Sequence, residues 1–153
     1  MADARAEQIL AAVKTAVTGL STTGARVQRG QIYAHEETKL PALAVSMGAD
    51  VPNEELQTGI LDWELTVRIE AAANVETDYV TQDSLIDQAL NQIRKEVHAA
   101  VMADHTQGLA FVIDTIPGPA AEPTLSGEGA QPIGLQVLEY RILYRASRAD
   151  ISA

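Results

Sequence analysis

From Leu61 to Ala71 apolar and polar side chains alternate without a break. Leu61, Trp63, Leu65, Val67, Ile69 and Ala71 take the odd positions, and Asp62, Glu64, Thr66, Arg68 and Glu70 the even ones. A period of two marks a strand with one dry face and one wet face. At about 3.3 Å per residue such a strand runs roughly 36 Å, long enough to floor a small domain. Other segments follow different periods. Ala6, Ile9, Leu10, Val13, Val17 and Leu20 fall at helical spacing and predict an amphipathic helix over 4–20. Asp3 is its expected N-cap, and Gly19 and Gly24 its stop. Residues 25–32 predict a short strand with Val27 inward and Arg26 and Gln28 outward, and 33–39 a polar surface turn. Leu40 to Met47 is almost wholly apolar and ends at Gly48, which suits a central strand covered on both faces with Pro41 at its start. Asp50 to Gly59 then reads as an acidic turn, so the second and third strands are expected to be antiparallel neighbours.

The second half repeats the alternation of helix and strand. Leu85, Ile86, Ala89, Leu90, Ile93, Val97, Ala100 and Val101 predict a helix over about 78–104, capped by Thr77 or Thr81. Leu109 to Ile116 predicts a strand. Residues 117–132 hold Pro117, Pro119, Pro123 and Pro132 with Gly118, Gly127 and Gly129, and predict a long flexible connection. In the final strand the apolar phase changes. Ile133, Leu135 and Val137 are odd, whereas Leu138, Tyr140, Ile142 and Tyr144 are even. A β-bulge between 137 and 138 would restore one inward face; otherwise the strand buries one face in its first half and the other in its second. The expectation is a single α+β domain over 1–153. It would be a mixed, mainly antiparallel sheet of four to five strands packed with two α-helices.

Composition narrows the function classes. The 153 residues are 46% hydrophobic but only 4% aromatic, so the core is expected to be aliphatic. Without cysteine there is no disulfide, thiolate nucleophile or sulfur-ligated metal. Asp3, Arg5, Glu7 and Lys14 interrupt the first segment, which does not read as a signal peptide, and no apolar run reaches membrane-spanning length. A formal net charge of −10 opposes binding to phosphate backbones, and Arg141, Arg145 and Arg148 read as solubilising a last strand.

Candidate chemistry is sparse. His98 and His105, with Asp104, lie on or beyond the second helix, yet the spacing matches no metal signature. The Asp62 and Glu64 carboxylates, two apart on a strand, are more cheaply read as a solvated or subunit-facing edge than as an acid–base pair. No nucleophile elbow, phosphate-binding loop or dinucleotide fingerprint is present, and no enzyme activity or cofactor is expected.

The run from Glu36 to Val45, then Asn53-Glu54-Glu55-Leu56, Asp62-Trp63-Glu64-Leu65 and the closing Leu138 to Tyr144, resembles the tail-terminator family of long-tailed bacteriophages, specifically its lambda-like type. The order of elements corresponds over nearly the whole chain, although 117–132 is longer than the pattern. The resemblance implies a structural virion protein that assembles as a homo-hexameric ring at the head-proximal end of the tail. Its partners would be the tail tube protein and head–tail connector proteins, with assembly in the host cytoplasm. On that reading Asp62, Glu64, Thr66, Arg68 and Glu70 form a subunit interface, with Arg68 a cation among carboxylates. Glu122, Thr124, Leu125 and Glu128 form a partner-contact loop. A head-completion or neck ring of the same phage is the nearest alternative, and a small ligand-binding or metal-dependent enzyme domain a more distant one.

Overall fold

The computed structural model describes residues 2–30, 40–53, 58–74, 82–126 and 133–153, the side chains of 82–84 excepted. The elements run α1 (Arg5–Val17), β1 (Val27–Arg29), β2 (Ala42–Pro52), β3 (Ile60–Asn74), α2 (Gln82–Met102), β4 (Val112–Ala120), β5 (Thr124–Ser126) and β6 (Ile133–Ser147). The chain is α+β, with two helices against a six-stranded, mostly antiparallel sheet. The order is β1-β2-β3-β6-β4, with β5 also paired to β6. The parallel pair is β1 with β2. The expected antiparallel pairing of β2 with β3 is present.

The alternating stretch lies near the middle of the sheet, extended at both ends beyond 61–71. Its odd residues Leu65, Val67, Ile69, Ala71 and Ala73 are buried in one core with Ile9, Leu10, Val13 and Val17 of α1 and Ile86, Leu90, Ile93, Val97 and Val101 of α2. Each fully buried aliphatic side chain contributes about 1.5–3 kcal/mol by leaving water. Trp63, expected in that core, is only partly buried, and its indole N–H has no acceptor.

Four expectations are corrected. The strand starting near Leu40 does not stop at Gly48. β2 continues to Pro52 through a register shift between Met47 and Asp50. A Cβ at Gly48 would stand 2.9 Å from the Thr66 carbonyl oxygen, so glycine permits the close approach at the bulge. The acidic turn is correspondingly shorter. Helix α1 is not capped by Asp3; Ala4 takes the N-cap position without a side-chain bond.

The third correction concerns 117–132. Residues 117–120 belong to β4, and 124–126 form β5. Together they follow β6 from Tyr144 to Ile133, and the Ala121 N–H bridges the two strands by donating to the Val137 carbonyl at 2.8 Å. A proline is tolerated here because an edge strand has one neighbour, and β4 sheds strain through register shifts at 112/114 and 117/120. Residues 127–132 lie outside the described residues.

The fourth concerns the phase change in the last strand. No bulge occurs at 137/138: β6 pairs with β3 in unbroken register from Ile133 opposite Asn74 to Ser147 opposite Ile60. The even face is buried throughout, as Gly134, Gln136, Leu138, Tyr140, Ile142, Tyr144 and Ala146. The apolar signal fails in the first half because Gly134 and Gln136 occupy helix-facing positions. A Cβ at Gly134 would meet Ile86 Cγ2 at 2.2 Å, so α2 packs directly on that backbone.

Candidate functional site

The even residues of β3 and the odd residues of β6 lie on the sheet face opposite the helices. Antiparallel pairing sets Asp62 opposite Arg145, Thr66 opposite Arg141, Arg68 opposite Glu139 and Glu70 opposite Val137. Cross-strand neighbours on one face are within side-chain reach. Arg145 therefore grips Asp62 in a fork, Nε to Oδ1 at 2.7 Å and Nη2 to Oδ2 at 3.2 Å. Arg68 Nε donates to Glu139 Oε1 at 3.2 Å, and Arg141 Nη1 lies 3.5 Å from Glu64 Oε1 across one diagonal step. These side chains are between a fifth and just over half exposed, which makes each pair a weak, solvent-screened surface salt bridge.

The structure thus brings Asp62, Glu64, Thr66, Arg68 and Glu70 onto one open face, as the period of two requires. It changes what surrounds Arg68. Arg68 already has a partner in its own chain, and Arg141 and Arg145 stand on the same face. The ionisable groups that β3 and β6 bring to the face are Asp62, Glu64, Glu70 and Glu139 against Arg68, Arg141 and Arg145, a sum of 3 − 4 = −1, with Asp114 of β4 opposite Leu143 adding one further acid. Two of the five acids in 50–64, Asp62 and Glu64, are thus paired with arginines at the sheet. Along the β2 side the face continues into a trough bordered by Gly30, Ser46, Arg68, Glu70, Ala121 and Val137.

Glu122, Thr124 and Leu125 lie on the opposite sheet edge, with Thr124 opposite Leu135 and Leu125 opposite Gly134. Leu125 is an exposed large apolar residue. Glu128 is outside the described residues, as are Glu54 and Glu55.

Among the described residues His98 and His105 are not gathered into a site, and His35 lies outside them. His98 Nδ1 lies 3.3 Å from the Tyr140 hydroxyl, while the His105 carbonyl accepts a bond from Thr115 Oγ1. Asp104 closes the turn after α2 by accepting from the Thr106 N–H and hydroxyl and from the Gly108 N–H, and these bonds hold its carboxyl below the usual range. Among the described residues no three His, Asp or Glu side chains form a group able to hold a metal.

One polar pair escaped the sequence reading. Beyond the β2 bulge Asp50 meets the helix-side residue Tyr144, whose hydroxyl donates to Oδ2 at 2.6 Å. Asp50 Oδ1 is buried without a partner. Burial raises the Asp50 carboxyl above its ordinary value, partly opposed by the Tyr144 bond, and burial likewise pushes the Tyr144 hydroxyl far up. The signal available in sequence was Gly48, whose bulge reverses the phase of the residues after it. Searched against models of known protein families the sequence matches none, and no curated protein matches it.

Proposed function

We propose that the protein is a structural virion subunit that caps a completed phage tail tube as a homo-hexameric ring, in the manner of the tail-terminator family its sequence resembles. The observation that carries this reading is the open face of β3 and β6. Both helices pack on one side of the sheet, so a face roughly 15 residues long in each strand is left to present a patterned set of charges. A repeated surface of this kind suits subunit-to-subunit contact, where cross-interface charges fix orientation more than they add affinity. The ring halts addition of tube subunits by shape and charge and offers its other side to the head connector; no reaction is required. The edge residues Glu122, Thr124 and Leu125 contact the partner.

Native mass spectrometry of the purified chain tests the ring, with a hexamer expected. Electron microscopy of particles assembled without the protein tests the role. Overlong or unfinished tails support capping, whereas finished tails beside unjoined heads would reassign the ring to the neck.

A further inference from the structure

Between α2 and the β4–β5 edge runs a groove of about 410 Å³. Ile86 and Asp87 line it from the helix, Glu122, Pro123 and Leu125 from the edge, and Gln136 from the sheet. Gln136 is only 6% exposed. Its Nε2 donates to the Ala121 carbonyl at 3.1 Å, which fixes the amide orientation, and the remaining oxygen Oε1 is buried and meets no donor among the described residues. Buried carbonyl oxygens are normally satisfied, so an acceptor that no described residue answers is suited to a donor brought by a partner. Two carboxylates border the same groove beside apolar walls, on a chain of net charge −10.

We propose that this groove receives a long basic side chain, Arg or Lys, from a partner protein. Its N–H donates to Gln136 Oε1, its charge lies between Asp87 and Glu122, and its methylene stem packs on Ile86, Pro123 and Leu125. Arg and Lys combine those requirements, an apolar stem with a donor-only cationic head. A hard metal ion fits poorly, because it demands six or more oxygens. Oε1 has no solvent contact, so the incoming head must first displace what overhangs it. Leu125, on the groove wall, is 53% exposed and sits in a three-residue strand that, among the described residues, pairs with β6 alone, so its backbone amide is a sensitive reporter of such a shift. The site gives the partner-facing edge of the capping reading a chemical target, and rests on that reading only for which protein supplies the side chain.

The test is an NMR titration of the isolated chain, following the Gln136 side-chain amide and the Leu125 backbone amide. The probes are N-acetyl-arginine-N-methylamide, the lysine equivalent, and the norleucine equivalent as an uncharged stem. Saturable shifts are expected with the first two and none with the third, with binding weakened at least about tenfold by the paired change Asp87→Asn/Glu122→Gln. Gln136→Leu should abolish binding while leaving thermal unfolding intact. Equal response to norleucine, or wild-type binding in the paired carboxylate variant, would overturn the proposal even if Gln136→Leu fails to fold. Because the probes are read on the isolated chain, a failure here is separable from a failure to form a ring or cap tails.

Discussion

Replacing Gly134 with Ala adds one methyl group at the tightest contact between α2 and the sheet. The new Cβ would lie 2.2 Å from Ile86 Cγ2 and 3.3 Å from Leu90 Cδ1. Carbon atoms in good contact sit about 3.5–4.0 Å apart, so Ile86 must retreat by about 1.5 Å. Both residues are 1% exposed, and any relief for Ile86 must come toward the groove that it borders beside β5. Helix α2 must therefore lift from β6 or Ile86 must leave its preferred rotamer, and overpacking of this kind costs about 1–3 kcal/mol. For a domain of this size that lowers Tm by roughly 2–12 °C. Calorimetry or denaturant unfolding measures the loss, and a double-mutant cycle with Ile86→Ala tests its cause. Ile86→Ala alone should cost about 2–5 kcal/mol through the cavity it leaves, but it removes the clashing methyl. The double variant should therefore be more stable than the sum of the single effects by about 1–3 kcal/mol. Additivity within about 0.5 kcal/mol would refute the contact as the origin of the glycine.

Three further outcomes are expected. Because burial raises the Asp50 carboxyl, the folded state holds that proton more tightly than the unfolded chain; this contribution falls as pH rises from the ordinary value of 3.8 through the raised one. Asp50→Asn should thus gain on the wild type as pH rises above about 4 in thermal unfolding, and a stability difference independent of pH would contradict this assignment. Arg68→Glu should change monomer stability by no more than about 1 kcal/mol, since the Glu139 pair is half exposed, yet it should disrupt the ring in native mass spectrometry. An unaltered oligomer would reduce the face to a solvated surface. Six copies carry 6 × (−10) = −60, so sedimentation should detect firmer assembly as salt or divalent cations are added, and assembly that loosens with salt would sink that expectation.

The legible parts of the fold were those where one physical requirement dominates the side-chain pattern. β3 is read almost residue by residue, because one face joins the core shared with the helices and the other, among the described residues, carries the charged side chains. The helices declare themselves through stripes such as Ile9, Val13 and Val17. The reading failed where backbone approach, and not apolarity, sets the buried face. Gly134 is buried because α2 touches the backbone, and Gln136 because its amide answers the Ala121 carbonyl. Neither carries a hydrophobic signal, so the even phase of β6 was invisible before Leu138. Likewise Pro117 and Pro119 argued against a strand, but that argument holds only for a strand with two neighbours. The face residues at 62–70 were placed correctly, whereas their partners at 139–145 required the register of β6 on β3.

That register also alters how a subunit contact on this face would operate. With Arg68 alone among carboxylates, a neighbour would be drawn in simply by supplying an acid. With Asp62, Glu64 and Glu139 each already held by an arginine, the face is nearly neutral, and a neighbour must share or exchange existing pairs. Sharing desolvates charges whose partners are then imperfect, which costs as much as it gains unless the geometry matches closely. The face is therefore better suited to selecting one orientation of the neighbour than to supplying affinity. Affinity would have to come from apolar burial next to it. Val51, exposed beyond the β2 bulge, lies with Leu143 at one end of the same face and offers such an area. A contact built this way places the charged ladder over the sheet and the apolar anchor at its end, so charge reversal at Arg68 would change which orientations assemble before it changed how tightly they hold.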